Sequence, residues 1–96
     1  MNKKEMLKRV IEDNMTSIVV SEIDMEYYKQ KEEELKKMKE DTDEEKEAKK
    51  GLIQDNEDNM ARVKNKIETL RKWVKIAERK LQVEKDQDRC LERFSN

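Results

Sequence analysis

The side chain that most often runs chemistry near neutral pH is missing from this chain. It has no histidine. That removes the commonest general base, the partner that activates a serine or cysteine nucleophile, and the usual ligand of zinc and other transition metals. Cys90 is the single cysteine, so no internal disulfide can form and a reducing compartment fits. Without a histidine to draw off its proton, Cys90 reads as a small buried hydrophobe rather than a reactive thiol.

Carboxylates are abundant but wrongly spaced for a cation. The runs Asp41–Glu45 and Asp55–Asn59 begin like calcium loops, yet neither has glycine at the sixth position or the bidentate glutamate at the twelfth. They read instead as solvated helix caps. Glu44 and Glu47 could open the Glu-x-x-Glu metal motif of all-helical nucleotide pyrophosphatases, but no Glu-x-x-Asp follows to complete it. The remaining chemical feature is a basic face from Arg62 to Lys80 with Trp73 inside it, which could hold a phosphate or a nucleic acid backbone. No catalytic, cofactor-binding or metal-binding residue is nominated, no cofactor is expected, and the protein is expected not to be an enzyme.

What remains is the scaffold. The stretch Met60, Val63, Ile67, Leu70, Val74, Ala77, Leu81 alternates steps of three and four without a polar interruption. This is the a/d pattern that keeps one seam of a helix against a partner helix. Apolar residues make up 33% of the chain and charged residues 49%, well under the roughly 45–50% apolar content of a globular domain. Long helices burying one narrow stripe satisfy that composition; the seam favours them over disorder.

Residues 3–13 place Met6, Leu7, Val10 and Ile11 on one face among lysines, which predicts a basic amphipathic helix over residues 1–15. Asn14 and the β-branched run Thr16–Val20 suggest a hinge after it or the first turn of the next helix, with a short strand as the lesser alternative because no second strand exists to pair with it. A helical hairpin is expected over 16–96, with arms of about 18–49 and 55–94. Gly51, the only glycine, follows Lys49 and Lys50 and carries the usual signal for a helix stop, so the turn is placed near it. Thr42 with Glu45 forms a capping-box pattern that could restart a helix, and Asp55 or Asn56 would cap the second arm.

Around a turn at Gly51 the apolar positions come into register: Met38 with Val63, Leu35 with Ile67, Tyr28 with Val74. The hairpin seam is therefore assigned to Tyr28, Leu35, Met38, Met60, Val63, Ile67, Val74, Ala77 and Leu81. Charge agrees, because residues 21–47 carry a balance of −6 and residues 59–80 a balance of +6. The acidic arm would then neutralise the basic one within the chain.

Trp73, Ile76 and Val83 lie beside that seam. With Leu70, Leu91 and Phe94 they are assigned to an oligomer or partner interface, because one partner helix cannot cover so wide a stripe. The stretch Trp73-x-x-Ile76-Ala77-x-x-x-Leu81-Gln82 is similar to part of the second hairpin helix of phage anti-CBASS proteins, small helical oligomers that sequester cyclic nucleotides. That resemblance covers about ten residues and implies a ligand sponge as one alternative function; it transfers no binding residues.

The fold expected is all-α: a short N-terminal helix, then a long antiparallel, coiled-coil-like hairpin that self-associates as a dimer or higher oligomer. The function expected is non-enzymatic protein binding by a small regulator, inhibitor or scaffold, in the style of a phage or mobile-element product. Alternatives are the cyclic-nucleotide sponge and a nucleic-acid backbone binder using the Arg62–Lys80 face. Net charge is −1, the longest apolar run is Ile18–Val20, and the segment after the basic N-terminus is too polar for a signal peptide. A soluble, cytoplasmic protein without membrane contact is expected.

Overall fold

A computed structural model describes residues 1–94, with side chains to residue 91. The described chain is all-helical: α1 spans Lys3–Lys36 and α2 spans Asp43–Phe94.

Helix α1 is longer than its punctuation suggests. Asn2 starts it, its Oδ1 accepting the Glu5 backbone N–H at 2.9 Å, a standard first-turn cap. The expected hinge at 14–20 is absent. The Thr16 hydroxyl donates to the Glu12 carbonyl at 3.0 Å, and Ile18 is buried, so packing overrides the weak helix propensity of the β-branched run. The buried and half-buried positions Leu7, Ile11, Asn14, Ile18, Ser21, Met25 and Tyr28 alternate four and three apart. They form the same seam pattern as in α2, obscured in the sequence by its polar members.

The turn lies at residues 37–42, not near Gly51, and the cause is a distant lysine. Helix α1 tightens at its end, with Lys37 N–H to the Glu34 carbonyl and Met38 N–H to the Leu35 carbonyl, both 3.2 Å. The Lys49 ammonium then donates to the carbonyls of Lys36 (2.8 Å) and Met38 (3.2 Å) and lies 3.6 Å from the Glu40 carboxylate. It satisfies carbonyls that a helix end leaves without partners, so no glycine in a left-handed conformation is needed, and none occurs. Thr42 restarts the helix: its Oγ1 accepts the Glu45 N–H at 3.1 Å, and Glu45 Oε2 accepts the Asp41 N–H at 2.9 Å. Gly51, Asp55 and Asn56, expected to stop one helix and cap the next, all lie inside α2.

The chain divides into two units, each drawing on both helices: Val19–Ile67 with the turn, and Met1–Ile18 with the chain from Glu68 onward. In the turn unit Leu35 and Ile67 are buried. The helices there are held in register by Asn56, which is 2% exposed; its Nδ2 donates to the Tyr28 carbonyl at 2.9 Å. Its Oδ1 and the Oγ of buried Ser21 have no hydrogen-bond partner among the described residues. Tyr27 and Tyr28 meet edge to face, ring centroids 5.4 Å apart.

In the terminal unit Ile18, Val74 and Ala77 are buried. Lys3 pairs with Glu84 at 3.0 Å and Lys4 with Asp88, while Leu7 and Val10, further along α1, share a groove with Trp73, Ile76 and Ala77, further back along α2, so the two segments run antiparallel.

The expected register is overturned with the turn. Tyr28 lies against Asn56, not Val74, and Lys36 against Lys49. These pairs of residue numbers sum to 84 and 85, where a turn at Gly51 requires about 101. Among the described residues no helix is long and apolar enough to cross a membrane.

Gly51 is exposed, lacks a positive φ, and has nothing within 4 Å of an added Cβ. Gly51→Ala therefore raises stability in urea denaturation by about 0.5–1 kcal/mol. A loss of that size would instead place a left-handed turn there.

Candidate interaction surface

The residues assigned to the seam separate by burial. Leu35, Ile67, Val74 and Ala77 are buried, while Tyr28, Met60, Val63 and Leu81 are half-buried. Met38 is not on the seam: it follows the end of α1, in the turn, and is exposed. Of the interface residues, Leu70 is half-buried at a seam position, three residues after Ile67 and four before Val74. Trp73 (58% exposed), Ile76 (49%), Val83 (53%) and Leu91 are open. The side chain of Phe94 lies outside the described residues.

Residues 1–18 pack against the second half of α2 and still leave this face uncovered. Leu7 and Val10 of α1 join Trp73, Ile76, Ala77 and Lys80 of α2 around a shallow groove of about 310 Å³. Val83 continues the face into a second depression with Cys90 and Leu91. Met6, one position before Leu7, is also half open. Five side chains each exposing about half their surface (Met6, Val10, Trp73, Ile76, Val83) present on the order of 500 Å² of apolar area.

A second exposed stripe lies in the turn unit. Val19, Ile23 and Tyr27 repeat every four residues, with Val20 one step aside, and each is more than half exposed. Sequence reasoning missed it because Val19 and Val20 were read as a hinge. The signal was there: over residues 18–28 apolar side chains occur all around the helix, more than one seam can bury.

The charges fall differently from expectation. In the terminal unit the basic residues of 71–80 lie along residues 3–18, which carry Lys3, Lys4, Lys8 and Arg9 together with Glu5, Glu12 and Asp13. Arg79 and Lys80 line a recess with Lys3, Val83 and Glu84, and Lys80 also edges the Trp73 groove.

Among the described residues no group of three or more His, Cys, Asp or Glu side chains could hold a metal ion. Asp41–Glu45 forms the turn and the first turn of α2, and Asp55–Asn59 is mid-helix. Cys90 is exposed, not buried as expected, because the half-buried positions past Leu81 are Glu84 and Asp88. No protein-family model matches the chain, and neither the curated proteins nor the solved structures contain a match.

The exposure of Cys90 has a direct readout. Native protein reacts with a thiol-specific disulfide reagent to one equivalent per chain without denaturant; a thiol that titrates only in urea would place Cys90 in a core.

Proposed function

We propose that the chain is a non-enzymatic protein-binding module, a small helical regulator, inhibitor or scaffold that works as an oligomer. The observation that carries this reading is the open apolar face of Trp73, Ile76 and Val83 with Met6 and Val10. A patch on the order of 500 Å² is at the upper end of what a monomer usually leaves in water. It is also about the apolar share of a standard interface, which buries roughly 800 Å² per partner. The chain as a whole exposes 7980 Å², against about 5900 Å² for an ordinary folded monomer of 11.7 kDa. An aromatic anchor ringed by long basic side chains is a common composition for a binding hot spot.

Trp73 is more than half exposed, so circular dichroism separates the effect of its replacement on binding from one on folding. Trp73→Asp keeps the helical spectrum, at a stability cost of about 1–2 kcal/mol for the part of the ring that is covered, while lowering the mass measured by light scattering or abolishing capture of a partner. A variant with unchanged mass and unchanged partner would remove this face from the reading.

The five basic residues of 71–80, against one acidic residue in that stretch, favour a second reading: binding to a nucleic acid backbone. It predicts an RNA or DNA mobility shift that weakens steeply with salt. Free migration of both at low ionic strength excludes it. The cyclic-nucleotide alternative stands only on the short resemblance around Trp73.

A further inference from the structure

The two open stripes differ in sign. Around the groove of the terminal unit, Lys72, Arg79 and Lys80 stand four before, three after and four after Ile76, so all three border the Trp73–Ile76–Val83 face. Between residues 69 and 83 there are five basic side chains and one acidic. In the turn unit the segment Val19–Tyr28 contains Glu22, Asp24 and Glu26 and no basic residue. Asp24 and Glu26 flank the stripe of Val19, Val20, Ile23 and Tyr27 on opposite sides.

We infer that the occupant of the basic Trp73 face is a second copy of this chain, docked through its acidic Val19–Tyr27 stripe. This rests on the reading of the chain as an oligomeric binding module and specifies which surfaces meet. Pairing like with like fails on charge: two Trp73 faces would bring Lys72, Arg79 and Lys80 against their equivalents. Two Val19–Tyr27 stripes would do the same with Asp24 and Glu26, and like charges in contact are strongly disfavoured. The unlike pairing removes both problems and covers both apolar stripes.

Area agrees. Each copy contributes on the order of 500 Å² of apolar surface from one face and roughly 400 Å² from the other, enough with a polar rim for a stable interface.

A charge swap tests this. One variant carries Lys72→Glu and Lys80→Glu; a second carries Asp24→Lys and Glu26→Lys. All four positions are exposed, and circular dichroism of each variant should match wild type. In sedimentation equilibrium each variant alone associates at least about tenfold more weakly than wild type, because both of its faces now carry one sign. An equimolar mixture recovers wild-type association, and so does the four-fold variant within a single chain.

Variants that associate as wild type does, or a mixture that fails to recover, overturn the pairing; the binding-module reading survives through the Trp73 experiment. A wild type that stays monomeric at every accessible concentration overturns self-pairing. If that monomer shifts RNA and loses the shift on Lys72→Glu/Lys80→Glu, the face belongs to nucleic acid instead.

Discussion

The position of the Lys49 ammonium beneath the end of α1 decides the rest of the structure. It accounts for two carbonyls and one carboxylate around residues 36–40, and with the Thr42 cap it confines the turn to 37–42. Once the turn is there, the register follows: Tyr28 meets Asn56, whose Nδ2 donates to the Tyr28 carbonyl. A buried asparagine at a seam position weakens the pairing while specifying it.

Register in turn determines the electrostatics. Displacing the turn from Gly51 to 37–42 gives Tyr28 and Lys36 partners about seventeen residues earlier in α2 than a turn at Gly51 would. Only the start of the basic stretch, around Arg62, shares the turn unit with the acidic residues of α1. Residues 71–80 accompany the lysines at the N-terminus, and the chain retains two surfaces of opposite sign. Sequence reasoning reached the correct charge balance for each segment and the wrong geometry for their meeting.

How much was legible varies by element, for physical reasons. The seam of α2 was clear because its apolar members run unbroken from Met60 to Leu81, and Ile67, Val74 and Ala77 are indeed its buried points. Trp73, Ile76 and Val83 stood out as surplus to one seam, and they are open. The seam of α1 was hidden because Asn14 and Ser21 occupy it, and neither residue announces burial. The turn left one local mark, the Thr42–Glu45 capping box that restarts the helix; the end of α1 left none, because the turn contains neither glycine nor proline and the ammonium that closes it belongs to Lys49, inside the next helix. Gly51 misled because a glycine after two lysines imitates a helix stop, whereas here the backbone simply continues through it. Cys90 was placed by residue type, which says nothing about which side of α2 faces water.

Polar seam residues and apolar outer faces together leave stability on the table. Ser21 Oγ and Asn56 Oδ1 sit buried with no hydrogen-bond partner among the described residues, and Gly51 lies inside a helix that alanine would favour more. Around Gly51 nothing stands within 4 Å of an added Cβ. A chain held together this lightly gains more, in relative terms, from whatever binds its folded form, because bound molecules are withdrawn from the unfolding equilibrium. In a cell with active proteolysis, its standing amount would then follow the supply of its partner as closely as the rate of its own synthesis.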